Sequence, residues 1–456
     1  MSQYVAESGA PVYIERYEQL VEYFERARKP RDQWRIGTEY EKVAVWAADG
    51  RAVPFTGGIE EVLRRLADRY AWQPVVEDGR VVALTAPGAS VTLEPGGQLE
   101  LSGRLCDSVH CTREEFHEHV RQVVSVGDEL GIAFLGLGMQ PVSTLSDIEW
   151  VPKRRYGIMG PYMLKVGTLG QRMMKQTATV QVNIDYESER DAIMKLRVGM
   201  GIAPLLTAIF ANSPISDGAL NGYLSYRAHI WTDTDDARCG LLPFVFHPSC
   251  GFTDYIDYAL DVPMYFIVRD GRWTDMTPYT FRRFWHEGCG GERATLADWN
   301  QHLTTLFPEF RMKGVIEARS VDTQPADLVP AVPALIKGVF YDADCLWGAW
   351  DLVKSWTWPE RLDLYRAVHR QALRARIRSI EVRELAWELL RIAEIGLERQ
   401  GQRDAAGETE AIYLERVRDL VRRGRCPADL LIEKWEGPWG HEIKRLVDWS
   451  AYRLAA

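Results

Sequence analysis

Residues 177–185 read Thr177-Ala178-Thr179-Val180-Gln181-Val182-Asn183-Ile184-Asp185. Every odd position is polar and every even one apolar, which is the period of a strand with one apolar face. Three other segments put ionic groups on a strand face in the same way. Arg35-Ile36-Gly37-Thr38-Glu39-Tyr40-Glu41-Lys42 places Glu39 and Glu41 two residues apart on one side. In Thr92-Leu93-Glu94-Pro95-Gly96-Gly97-Gln98-Leu99-Glu100-Leu101-Ser102, the side chains of Gln98, Glu100 and Ser102 share a face and Glu94 lies across a glycine turn. In Val315-Ile316-Glu317-Ala318-Arg319-Ser320, Glu317 points the same way as Arg319. One such strand is explained by a solvated sheet face. Four of them are not, because Glu is disfavoured in strands. Clustered carboxylates repel unless cations lie between them, and an arginine beside them suits phosphate. The pattern points to a polar groove for Mg²⁺–nucleotide chemistry.

Around these strands the periodicity predicts an α+β chain. Ile14, Tyr17, Leu20, Val21 and Phe24 form a helical stripe, as do Ile59, Val62, Leu63 and Leu66, and then Phe116 to Leu130. Asp78-Gly79 and Asp270-Gly271 each join two strand-like runs as hairpins. Ser188 is placed to cap a long apolar helix. From about residue 328 the chain reads as mostly helical. The expected organisation is one catalytic unit, a sheet-centred core over 12–327 with a helical part over 328–456. An antiparallel sheet with a helical C-terminal third is the expected fold class.

Composition narrows the function. The chain has 456 residues, 46% hydrophobic and 26% charged, enough to bury a large core, and its net charge is −9. The acidic balance disfavours nucleic acid and anionic membranes as partners. The apolar stretch near Met200–Ala211 contains Pro204 and is short for a membrane span. Met1 to Gly9 offers no basic start and no apolar run, which reads as the absence of a signal peptide. Seven scattered cysteines do not read as a disulfide framework and are expected to stay reduced. No P-loop, complete dinucleotide fingerprint, G-x-S-x-G or H-E-x-x-H occurs. The basic residues Lys153, Arg154, Arg155, Lys165, Arg172 and Lys175, set among glycines, read as a mobile phosphate-covering loop or as a solvated one. These features predict a soluble, cytoplasmic enzyme and leave its oligomeric state, monomer or homodimer, open.

The same strands, with Phe210-Ala-Asn-Ser-Pro214, Asn221-Gly-Tyr-Leu-Ser-Tyr-Arg227, His229-Ile-Trp231-Thr-Asp-Thr-Asp235 and Tyr258-Ala-Leu-Asp-Val-Pro-Met264, resemble the plant-type glutamate–cysteine ligases, shared by plants and many bacteria. The resemblance runs from about residue 12 to about 440. It implies a glutamine synthetase-like carboxylate–amine ligase fold, with the active site on the concave face of an antiparallel sheet. It implies ATP-dependent joining of glutamate to cysteine through a γ-glutamyl phosphate, with Mg²⁺. A ligase using another amine, or a non-catalytic homologue, are the competing readings. Carried over by position, Glu39, Glu41, Glu94, Glu100 and Glu317 are the metal-binding acids. Gln181, Asn183, Lys42 and Arg155 are contacts to ATP. Arg319 and Arg227 are catalytic, and Arg227, Trp231 and Tyr156 bind substrate. The family's Lys-Gly-Arg reads Lys153-Arg154-Arg155 here, and the cysteines do not match the plant regulatory pairs.

Overall fold

A computed structural model describes residues 11–454, so Met1–Gly9 lies outside the described residues. Its centre is β1 (Ile36–Trp46), the longest strand at 11 residues. The other strands of the main sheet are β2 (Gln73–Glu77), β3 (Arg80–Ala86), β4 (Ala89–Leu93), β5 (Leu99–Ser102), β6 (Ile132–Leu135), β7 (Val180–Ile184), β8 (Phe310–Met312) and β9 (Ile316–Ala318). They form a nine-stranded sheet in the order β8-β9-β7-β1-β5-β4-β3-β2, with β6 paired to β1. Every pairing in this sheet is antiparallel. The first part of β1 pairs with β7 and then also β5, and its last four residues turn to β6.

The sequence explains these elements locally. Asp78 and Gly79 both take positive φ in the tight turn joining β2 to β3. The helix Val109–Leu130 is capped by the Ser108 hydroxyl, which accepts from the Cys111 N–H, and it stops at Gly131 in the left-handed region. It packs against the apolar face of β1, where the Tyr40 and Phe116 rings lie 5.1 Å apart and the Tyr40 hydroxyl donates to the Thr112 carbonyl. The Ser188 hydroxyl caps the helix Glu189–Ile209. By length and composition that helix could cross a membrane, yet 94% of its apolar window is buried inside the protein, so it serves as a core helix. From Ala331 to Ser450 the chain is mostly helical, with one short hairpin of two-residue strands at 376–381, as expected of the C-terminal third. One continuous apolar cluster reaches from Ile14 to Tyr452.

Two expectations are corrected. The basic stretch 153–175 is not a glycine loop but two helices, Arg154–Val166 and Gly170–Gln176. The Lys153 ammonium is buried and donates to the Leu93 carbonyl, Lys175 donates to the Leu145 carbonyl, and Arg154 and Arg172 pair with Asp78 and Asp217. Each of these four cations is thus committed to a partner within the protein. The cysteines are not all reduced either: Cys106 and Cys111 form a disulfide across the start of the helix Val109–Leu130. Their sequence separation of 5 spans the turn that delivers the chain from β5 into that helix, which brings the two sulfurs together.

Candidate active site

Antiparallel register lines up the acids that were separate in sequence. Glu41 lies opposite Glu100, and Glu39 lies between Ser102 on one side and Gln181 on the other. Glu317 lies opposite Asn183 and Arg311, and Glu100 opposite Thr92. All of these belong to one face, which forms the floor of a cleft. The turn between β4 and β5 adds Glu94. Gly97 supplies its left-handed residue, and a side chain at Gly96 would meet the Lys175 carbonyl at 2.1 Å, so the turn sits directly on the backbone of the neighbouring helix. Gln98 staples it there, donating to the carbonyls of Met174 and Thr177.

Glu41, Glu94 and Glu100 can bring one carboxylate oxygen each within 4.8 Å of one another. Burial and the charges of Glu94 and Glu100 push Glu41 well above the usual carboxylate range. Burial and the charges of Glu39 and Glu94 push Glu100 up to about 8, although it accepts hydrogen bonds from the Thr92 and Ser102 hydroxyls. Three oxygens in such a space, repelling one another in a dry floor, fit a hard divalent cation.

Across the cleft stand the cations. Arg319 Nη1 donates to Gln181 Oε1 at 2.5 Å and to Glu317 at 3.2 Å. Its guanidinium lies 5.8 Å from the Trp231 ring and 5.6 Å from Phe307. Arg227 is buried, and its Nη2 donates to the Arg319 carbonyl at 3.0 Å. The indole N–H of Trp231 is buried in the cleft wall with no acceptor among the described residues. Arg155 and Tyr156 line the same cleft, with the Tyr156 hydroxyl donating to the Leu93 carbonyl.

Two of the sequence-predicted residues are placed differently. Lys42 falls on the opposite face of β1 from Glu41, because side chains alternate. Its ammonium is buried against the helix side, donates to the Tyr40 carbonyl, and is pushed down by burial to about 7. It is therefore not a contact to a ligand in the cleft. Glu317 is in the row but is wrapped by Arg311 at 2.5 Å, Lys313 at 3.0 Å and Arg319 at 3.2 Å. Burial alone would raise its carboxyl, and these three cations instead hold it well below the usual range. It anchors cations rather than facing the cleft as a free acid. Asn183 is in the row and donates to Glu39 at 3.0 Å. Arg311 and Lys313 line the cleft and were missed; their signal was the alternation of Phe310-Arg311-Met312-Lys313 one hairpin before Glu317.

This antiparallel sheet, with acids facing arginines over one cleft, shares its fold with the carboxylate–amine ligases. A crystal structure of glutamate–cysteine ligase from Francisella tularensis in complex with AMP superposes with a TM-score of 0.55 over 93% of this chain and 90% of that one, at 14% identity. Residues 35–448 match the family model for glutamate–cysteine ligase family 2, and the chain belongs to that family. It is 44% identical over 429 residues to the chloroplastic glutamate–cysteine ligase B of rice, covering 93% of this chain and 85% of the relative. It is 43% identical over 438 residues to the chloroplastic enzyme of Arabidopsis thaliana, covering 95% and 83%. The chain is accordingly a ligase. The expectation of a cytoplasmic protein is overturned by the same likeness, since both of these relatives are chloroplastic enzymes.

Proposed function

We propose that the chain joins the γ-carboxylate of L-glutamate to the amine of L-cysteine with ATP, giving γ-glutamylcysteine, ADP and phosphate, the first step of glutathione synthesis. The observation that carries this reading is the shared cleft, lined by Glu41, Glu94 and Glu100 on one side and by Arg227 and Arg319 on the other. A free carboxylate is a poor acylating agent. Transfer of the γ-phosphoryl of ATP to the glutamate side chain makes an acyl phosphate, and the cysteine amine then attacks its carbonyl carbon as phosphate leaves.

Glu41, Glu94 and Glu100 would hold Mg²⁺, with Glu39 beside them. The bound ion would neutralise phosphate oxygens and relieve the repulsion among the acids. Arg319 meets the charge that builds on the phosphoryl oxygens, because a guanidinium engages two of them at once. Arg227 and the Trp231 indole N–H offer donors to a carboxylate of the amino-acid substrate, and Tyr156 completes that wall. Arg155, on the side of the cleft formed by the helix Arg154–Val166, is a cation for the ATP phosphates, and Gln181 is a polar contact on the same floor. Holding both reactants in one dry cleft can supply about 7–11 kcal/mol of the barrier.

The test is ATP turnover by the purified chain with glutamate and Mg²⁺ against a panel of amines, with products identified by mass. γ-Glutamylcysteine as the preferred product supports the reading. A different γ-glutamyl amide would assign the alternative ligase, and absence of turnover with every amine would reject catalysis.

A further inference from the structure

We infer that Asp322, which lies behind the cleft and does not line it, is a positioning residue that fixes the Arg227 guanidinium; the inference rests on the ligase reading of that cleft. Asp322 is buried, and its carboxylate gathers donors from three directions. Oδ1 accepts from the Ser225 hydroxyl at 2.9 Å, and Oδ2 accepts from the Ser213 hydroxyl at 2.7 Å and the Asn212 N–H at 2.8 Å. Arg227 Nη1 stands 4.0 Å from Oδ1, and among the described residues Asp322 is the acid paired with it.

The partners of Asp322 are the groups that place Arg227. Ser225 caps the helix Tyr226–Trp231 through the Ala228 N–H, and Ser213 Oγ accepts from the Arg227 N–H at 3.1 Å. The other arm of the guanidinium donates to the Arg319 carbonyl, so Asp322 and Arg319 hold Arg227 between them. The site is built closely around the acid: a side chain at Gly138 would meet Asp322 Cβ at 2.5 Å. The backbone of Asp322 also bridges to Thr179, whose N–H donates to Glu41 at 3.0 Å. A carboxylate suits this place because all its protein partners are donors or cations; an amide would turn an N–H₂ group toward one of them and leave a buried arginine unneutralised.

The test is steady-state kinetics of the full chain with Asp322→Asn and Ser213→Ala, varying glutamate and ATP separately, with thermal unfolding alongside. For Asp322→Asn the expected result is a rise in the KM for glutamate of about tenfold or more, with the KM for ATP changed by about twofold at most, since a misplaced Arg227 loses one substrate's contacts. Ser213→Ala, which leaves the charge in place, is expected to raise the glutamate KM about two- to fivefold. A folded Asp322→Asn enzyme with unchanged KM for glutamate and only a lower melting temperature would overturn the inference. If that variant does not fold, Ser213→Ala decides by the same comparison. If the wild-type chain makes no γ-glutamyl product, it is the ligase reading that has failed, and the inference falls with it.

Discussion

Arg319→Lys keeps a positive charge on the floor of the cleft and removes the planar fork. In the structure the guanidinium spans Gln181 Oε1 and Glu317 Oε2 from one nitrogen and lies over the rings of Trp231 and Phe307. A lysine ammonium reaches one of these partners and cannot present two parallel donors to a phosphoryl group. An arginine on the transferred phosphoryl is worth about 10³–10⁵ in rate in other phosphoryl-transfer enzymes. Since the charge is retained, we expect turnover to fall by about 10²–10³, or about 3–4 kcal/mol of transition-state stabilisation. The fold should tolerate the change, because Glu317 keeps Arg311 and Lys313 and the main loss is the ring stacking, about 1 kcal/mol. Initial rates of ADP release, with glutamate, cysteine and ATP varied in turn, give the answer. We expect the KM values for glutamate and ATP to move by about threefold at most, because the interaction is made in the transition state. An unchanged turnover number with a lowered melting temperature would refute the argument and leave Arg319 as a counter-ion to Glu317.

Glu100→Gln and Glu317→Gln should part company on stability: the first puts a neutral amide in place of an acid whose ionisation the crowded floor opposes and should unfold no earlier than wild type, while losing about 10² or more in turnover. The second leaves Arg311, Lys313 and Arg319 without their shared acid and should cost about 3 kcal/mol or more in denaturant unfolding. Burial holds His302 and His369 neutral, each pushed down to about 3, so their contribution to stability is complete above the unfolded value near 6.5 and is lost as pH falls below it. Each should cost about 2 kcal/mol by pH 5, seen as a falling urea midpoint that His302→Gln makes less steep. Replacing Cys106 and Cys111 together by serine opens a loop of separation 5 and should lower stability by about 2 kcal/mol, which reducing agent should mimic in the wild type and leave unchanged in the variant.

How far the site could be read in advance depended on whether a residue's role is set along its own strand or across the sheet. Alternation alone put Glu39 with Glu41, Gln181 with Asn183 and Glu317 with Arg319 on common faces, and the antiparallel ladder kept each pair there. The same rule, applied strictly, already excluded Lys42, which is odd by one from Glu41; family likeness drew it into the ligand set, and the pleat removes it. Glu317 shows the opposite limit. Its own strand says only that it faces the polar side, whereas its environment is decided by Arg311 and Lys313, which arrive on β8 and the turn after it. The basic stretch 153–175 misled because charge and glycine content were read without the helical spacing of Tyr156, Met159 and Met163, which are buried. Asp322 lies in no strand and carries no pattern, and its importance emerges only when the segments carrying Asn212, Ser213 and Ser225 converge on it.

The cleft is electrically divided, and the division follows the strand order. The acids come from β1 and from the hairpin of β4 and β5, on one side of the sheet; the cations Arg311, Lys313, Arg319 and Arg227 come from the hairpin of β8 and β9, the residue after it and the helix Tyr226–Trp231, on the other, with Arg155 apart on the helix Arg154–Val166. β7 lies between them, and its Gln181 touches both halves, accepting from Arg319 at 2.5 Å and donating to Glu41 at 3.3 Å. A neutral amide is the side chain that can do this, since it offers an acceptor to the guanidinium and a donor to the carboxylate without adding charge to either side. A carboxylate there would deepen the repulsion that already raises Glu41, and a lysine would compete with a metal for it. A metal-bound polyphosphate needs acids behind its cation and arginines ahead of the phosphoryl group that leaves. Such a gradient would run from β9 across β7 and β1 to the β4–β5 hairpin, where antiparallel register sets Glu317 beside Asn183, Gln181 beside Glu39 and Glu41 beside Glu100.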